Sequence, residues 1–219
     1  MTTTAALCRC ITFDFDGVLV DSNRIKRNGF LSAMDAIGVP PEEQDALLAA
    51  APPGDRTTML PWLREQSALR QWLPPSAPSP ARLIADYTRY CEEEVVRCSE
   101  MPGAARVLAA LAARRPLYLN SATPVDTLAR IVDARGWTRF FAAVMGRPAS
   151  KVENFAAILT REGISASTLW FVGDQTTDLD VARAVGCRFL GYRSPESDLP
   201  EETEVLPNLL ALCDLVPAV

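Results

Sequence analysis

Asp14 and Asp16 stand one residue apart at the end of the apolar run Ile11-Thr12-Phe13, and Gly17 follows them directly. Side chains of a strand alternate between its two faces, so both carboxylates point the same way just where the chain leaves a sheet. Gly17 lets the backbone turn sharply beside them. Two carboxylates crowded at a strand tip repel each other, which is costly unless a cation or a reaction uses them. Asp-x-Asp-Gly alone also fits a polar turn after a strand. Three later segments, in order along the chain, give it more weight.

The first is Pro116-Leu117-Tyr118-Leu119-Asn120-Ser121-Ala122-Thr123, a second apolar run ending in small hydroxyl residues. Ser121 fits a helix cap. A hydroxyl beside free backbone N–H groups also suits an anionic oxygen. The second is Lys151. Of the 22 lysines and arginines only Lys26 and Lys151 are lysines, and a lysine kept against such a bias suggests a need for a compact ammonium rather than a planar fork. The plainer alternative is a solvated residue at a helix start. The third is Leu169-Trp170-Phe171-Val172-Gly173-Asp174, with Asp178 four residues on. Asp178 and Asp180 fit acids favoured by the dipole of a helix first turn. Asp174, at a strand tip, does not.

Taken together these segments resemble the four ordered motifs of the haloacid dehalogenase-like (HAD) superfamily, over a stretch from Ile11 to Gly191. The resemblance implies that Asp14 is a nucleophile, Asp16 a general acid and base, Ser121 a donor to a phosphate oxygen and Lys151 a charge stabiliser. It implies a Mg2+ ion held by Asp14, the Asp16 carbonyl, Asp174 and Asp178, with Gly17 and Ala122 among the substrate contacts. A carboxylate that attacks phosphorus forms an aspartyl-phosphate and splits one hard displacement into two easier ones. Asp16 would protonate the leaving alkoxide and then activate the hydrolytic water. Family dehalogenases attack carbon and lack an acid at that position, so Asp16 points to phosphoryl transfer. Two departures stand out: Lys151 is followed by Val152 where many relatives carry proline, and Thr123 offers a second hydroxyl near Ser121. Ser121 is preferred because it directly follows the apolar run.

The elements that must position these residues alternate after residue 100. Apolar spacing predicts helices around Val107–Leu111, Val125–Val132 and Val152–Leu159, with strands near 116–120, 142–145, 168–172 and 187–191. The pattern predicts an α/β fold with a doubly wound parallel sheet, whose ligands bind beyond the carboxyl ends of the strands. Residues 22–98 form an interval too long for an ordinary crossover, with helical patterns throughout. This insertion resembles the C1-type helical cap of HAD subfamily I. The expected domains are therefore 1–21 with 99–219 as the core, and 22–98 as the cap. Within the cap, Asn23, Lys26 and Arg56 are candidate substrate contacts. Arg56 follows a Gly-containing turn and resembles the substrate-contacting arginine of the beta-phosphoglucomutase cap.

Composition narrows the function. A chain of 219 residues, 48% hydrophobic, buries a full core, and a net charge of -5 with scattered arginines leaves no footprint for nucleic acid or an anionic membrane. The start lacks a basic, apolar leader, and no stretch approaches membrane-spanning length. Six cysteines form no Cys-x-x-Cys pair and there is no histidine. This argues against zinc chemistry and histidine-based triads and favours a cytoplasmic protein with reduced thiols. The expected function is a Mg2+-dependent phosphomonoester hydrolase for a small phosphorylated metabolite, with a monomer compatible. A phosphomutase is the alternative, although its family has a cap histidine that this chain lacks. A non-catalytic binding module on the same fold is the third reading.

Overall fold

The structure is a computed structural model that describes residues 7–217. The chain divides into two compact units, Asn23–Arg97 and the combination of Met1–Ser22 with Cys98–Val219.

The first unit is helical: α1 (Asn23–Ala36), α2 (Pro41–Ala49), α3 (Arg56–Leu69) and α4 (Pro80–Arg97). Met34, Ile37, Leu60 and Leu63 are fully buried, and Leu83 and Tyr87 of α4 close the same cluster. In α1 and α4 the apolar residues recur at helical spacing, so each helix has a stripe to bury and little reason to fold alone. Gly29 permits the approach of α1 to α4, because a Cβ there would lie 2.9 Å from the Tyr87 ring. Asp55 caps α3 by accepting from the Thr57 N–H at 2.8 Å.

The second unit is a six-stranded parallel sheet covered on both faces. Its strands are β1 (Cys10–Phe13), β2 (Leu117–Pro124), β3 (Ala143–Arg147), β4 (Leu169–Gly173), β5 (Arg188–Tyr192) and β6 (Val205–Leu206), in the order β3-β2-β1-β4-β5-β6. Its helices are α5 (Ala104–Ala112), α6 (Val125–Ala134), α7 (Lys151–Glu162), α8 (Thr176–Val185) and the short α9 (Leu212–Leu215). Strands with both faces buried read as nearly continuous apolar runs, as Leu-Trp-Phe-Val in β4 does. Alternation assigns the faces. Cys10, Tyr118, Leu169 and Phe171 pack with Phe155 and Ile158 of α7 and Ala182 of α8. Their neighbours Ile11, Phe13, Leu117, Leu119, Trp170 and Val172 are equally buried and turn to the opposite face.

Both β2 and β4 flank β1, with Ile11 level with Leu117 and Trp170, and Phe13 level with Leu119 and Val172. The chain leaves β1 toward β2 and returns, after β3, to β4 on the other side. The reversal in strand order at β1 makes a crevice at the carboxyl ends, where open α/β sheets bind ligands. The predicted fold class and the helix and strand positions agree with this architecture. The structure adds what the pattern did not supply: β2 continues through Ser121 to Pro124 with an irregularity after Asn120, and β6 and α9 follow β5.

Candidate active site

Asp14 sits one residue past β1, and its N–H still donates to the Val172 carbonyl at 2.9 Å, which keeps it level with the tip of β4. The chain then folds into a compact turn in which the Gly17 N–H donates to Val20 O at 2.9 Å and the Leu19 N–H to Phe15 O at 2.9 Å. Gly17 adopts φ +75°, a left-handed conformation that side chains disfavour. Phe15, Val18, Leu19 and Val20 are all fully buried beneath it. The apolar residues interleaved with the acids are therefore the anchor that aims them.

Three carboxylates converge at this place. Oxygens of Asp14, Asp174 and Asp178 lie within 4.8 Å of one another, and all three residues are buried. Lys151 Nζ donates to Asp14 Oδ1 at 2.7 Å and to Asp178 Oδ1 at 2.5 Å, with only 14% of its side chain exposed. Lys151 is the first residue of α7, set there by Ser150, whose hydroxyl and N–H form a capping box with Glu153. A helix start is thus real, but it points the ammonium into the protein rather than into solvent. Asp178 lies in the first turn of α8 and its Oδ2 accepts from the Gln175 N–H at 3.4 Å. Gly173 makes room for it, since a Cβ there would meet the Asp178 Cβ at 2.6 Å. Burial and the lysine contact take Asp178 well beyond the role of a solvated first-turn acid.

Asp16 has a separate environment. Its Oδ1 accepts from Ser22 Oγ at 2.6 Å, and its Oδ2 from Ser121 Oγ at 3.4 Å and Thr123 Oγ1 at 3.3 Å. Ser121 does not cap α6: the residue before that helix is Pro124, with no side-chain cap bond, and Ser121 Oγ accepts instead from the Thr123 N–H at 3.1 Å. Asn120, beneath Ser121 on β2, donates to the Lys151 carbonyl at 3.0 Å and accepts from Asn154 Nδ2 at 2.9 Å. These bonds tie β2 to the start of α7 in a chain whose lysine is not followed by proline.

The electrostatics are dominated by crowding. Burial pushes the Asp14 carboxyl up to about 8; Lys151 opposes this, while Asp178, Asp16 and Asp174 add to it. Burial works against the charge on Lys151, but Asp14 and Asp178 outweigh it and raise its proton affinity above that of a free lysine. Three clustered carboxylates, with Asp16 close enough to act on Asp14, thus share one ammonium that contacts two of them. Mg2+ takes oxygen ligands at roughly 2.0–2.1 Å, so two of its ligand oxygens stand at most about 4.2 Å apart. The carboxylate oxygens meet that span after shifts of a few tenths of an ångström. The all-oxygen donor set, the excess negative charge and the spacing fit a hard divalent cation.

Of the residues singled out by sequence, Asp14, Asp16, Ser121, Lys151, Asp174 and Asp178 are gathered at the carboxyl ends of β1, β2 and β4. Gly17 forms the turn beside them, and Ala122 is exposed between Ser121 and Thr123. Asn23 opens α1, Lys26 lies in its first turn and Arg56 opens α3, all three in the helical unit. Sequence reasoning passed over Ser22, Asn120, Asn154 and Ser194. Asn120 carried a signal, being an amide inside a buried strand, whereas Ser194 carried none.

Comparisons with known proteins bear on the family and the fold. The family model described as haloacid dehalogenase-like hydrolase matches residues 8–186. The phosphoglycolate phosphatase of Shigella boydii serotype 4 is 28% identical over 208 residues, covering 84% of this chain and 80% of the relative. Among solved structures, a predicted phosphoglycolate phosphatase from Haemophilus somnus superimposes with a TM-score of 0.77 at 19% identity, covering 98% of this chain and 100% of its own. The Bacillus subtilis HAD-hydrolase YfnB, solved bound to magnesium, gives 0.69 at 16% identity, covering 96% and 99%. At these identities the two structures speak for the fold alone.

Proposed function

This chain belongs to the haloacid dehalogenase-like hydrolase family and is a phosphatase, and we propose that it cleaves a small phosphomonoester through a phosphorylated Asp14. The observation that carries this reading is the buried contact of Lys151 Nζ with both Asp14 and Asp178, inside a three-carboxylate cluster at the ends of β1 and β4.

Asp14, Asp174 and the Asp16 main-chain carbonyl would hold Mg2+, with Asp178 joining directly or through a water ligand of the ion. When bound, Mg2+ supplies positive charge that lets a phosphate dianion approach a carboxylate. Asp14 attacks phosphorus: an O–P bond forms to its carboxylate as the bond to the substrate alkoxide breaks. Asp16, held by the Ser22 and Thr123 hydroxyls once Ser121 turns to the phosphoryl group, gives its proton to that alkoxide and later takes one from the water that splits the acyl-phosphate. Lys151 keeps its charge and neutralises phosphoryl oxygens, and the Ser121 hydroxyl donates to one of them. The main chain at Ala122, next to Ser121, would add a donor, whereas the Gly17 N–H is engaged by Val20 O and Gly17 would serve the site by shaping the turn.

The helical unit is proposed to act as a cap carrying substrate selectivity, with Asn23, Lys26 and Arg56 as its contacts. The name of the Shigella relative makes 2-phosphoglycolate the first candidate substrate, and the magnesium of YfnB supports the choice of cation. Among the described residues no helix is long and apolar enough to cross a membrane, and none of the six cysteines is in a disulfide; a reducing, cytoplasmic setting is proposed from the thiols, with a monomer as the working state. The test is phosphate release from p-nitrophenyl phosphate with Mg2+, followed by a panel of sugar, nucleotide and small-acid phosphates. Activity that survives EDTA, or survives Asp14→Asn, would rule out the mechanism. Arg56→Ala should raise KM for the true substrate much more than for p-nitrophenyl phosphate, and equal effects would remove Arg56 from selectivity.

A further inference from the structure

The segment after β5 lies beyond the residues matched by the family model, which end at 186. It folds back over the tip of β4. Arg193 organises it, donating from Nη1 to Leu199 O at 3.0 Å and from Nη2 to Pro200 O at 2.9 Å. Leu199 is buried against Gly191, where a Cβ would lie 2.8 Å from its Cδ1. The segment delivers two hydroxyls to one residue: Ser194 Oγ donates to Asp174 Oδ2 at 2.9 Å and Ser197 Oγ to the Asp174 carbonyl at 2.6 Å. Gln175 Nε2 donates to the same Oδ2 at 3.0 Å and to Glu196 O at 3.2 Å. The next residue is held as well, since Asp198 Oδ1 accepts from the Thr176 N–H at 2.5 Å.

We infer that Ser194, seconded by Gln175, is a positioning residue that sets the rotation of the Asp174 carboxylate and so tunes the strength and size selectivity of the cation site. The inference rests on the Mg2+ reading above. Two donors on Oδ2 restrict the rotation of the carboxylate, one oxygen of which lies within 4.8 Å of oxygens of Asp14 and Asp178. A carboxylate fixed in this way presents one oxygen. A carboxylate free to swing can present two, which suits the looser, larger shell of Ca2+ but not the strict octahedron of Mg2+. Partners behind metal ligands commonly govern affinity by about 10–100-fold.

The experiment titrates EDTA-stripped protein with Mg2+ and separately with Ca2+, following heat of binding and the shift in Tm. Wild type and Ser194→Thr should bind Mg2+ alike. Ser194→Ala should bind it about 10–100-fold more weakly while its Ca2+ affinity holds or tightens. Equal losses for both ions, or Mg2+ affinity within twofold of wild type, would overturn the assignment and leave the Mg2+ reading intact. Failure of the wild-type protein to bind Mg2+ would overturn both. If Ser194→Ala does not fold, Gln175→Met removes the other donor to Oδ2, and an unchanged ratio of Mg2+ to Ca2+ affinity there counts against the assignment equally.

Discussion

Among the described residues, the buried polar side chains of the helical unit are Gln44 and Ser67, and both serve the end of α1 and the connection after it. Ser67 Oγ donates to Ile37 O at 2.6 Å and Gln44 Nε2 to Asp35 at 2.6 Å and to Val39 O at 3.3 Å, which fastens the α1–α2 connection. In the α/β unit the buried polar side chains instead include four aspartates with the hydroxyls and amides that aim them. One unit buries polarity only where a loop needs it. The other concentrates like charge, an arrangement with a folding cost that a cation and a reaction can offset. Chemistry should therefore be lost from the α/β unit by changing single atoms, and the helical unit should respond mainly to changes in volume.

The largest expected effect on this contrast is Asp14→Asn, which should lower kcat by about 10⁴-fold or more with the fold retained, as judged by circular dichroism. Asp16→Asn should cost roughly 10²–10⁴ in kcat, and less for substrates with good leaving groups, because those need little proton donation. Lys151→Met should act on stability as well: it strands Asp14 and Asp178 without their ammonium, at a cost of about 3–5 kcal/mol by denaturant unfolding in EDTA, partly recovered by Mg2+. In the helical unit, Leu63→Ala should cost about 2–5 kcal/mol by cavity formation. A loss of stability there below about 0.5 kcal/mol would break the contrast.

The remaining effect is one of pH. Metal-free folded protein keeps a proton on Asp14 up to about 8, whereas an unfolded aspartate releases it near ~3.9. The native state then binds more protons between those values, so this contribution to stability falls as pH rises through that window. In EDTA the Tm should therefore drop between pH 5 and pH 8, and Asp14→Asn should flatten the drop. A Tm that rises equally in both proteins would assign the pH response to other groups.

Much of this was legible in the sequence because strand period and burial write themselves as runs: Leu169–Gly173 reads as a buried strand, and an acid at its end reads as a site. The order of Asp14, Ser121, Lys151 and Asp174 was likewise legible. Three points were not. The role of Ser121 was ambiguous because a hydroxyl before a helix caps as readily as it binds, and only the extension of β2 through Pro124 removes the cap reading. Lys151 looked equally like a solvated helix start, because capping signals fix where a helix begins but not which way its first side chain points. Ser194 reaches Asp174 from 20 residues away through a loop without periodicity, and no local pattern encodes that return.

The central claim is that Asp14 carries the phosphoryl group in transit. Acid quench of the Asp16→Asn variant during turnover of its best substrate with Mg2+, followed by borohydride reduction and peptide mass spectrometry, tests it most directly. The prediction is homoserine at position 14, formed from the acyl-phosphate, and absent when Mg2+ or substrate is omitted. Phosphate release with position 14 recovered only as unmodified aspartate, at time points where the intermediate should accumulate, would contradict it.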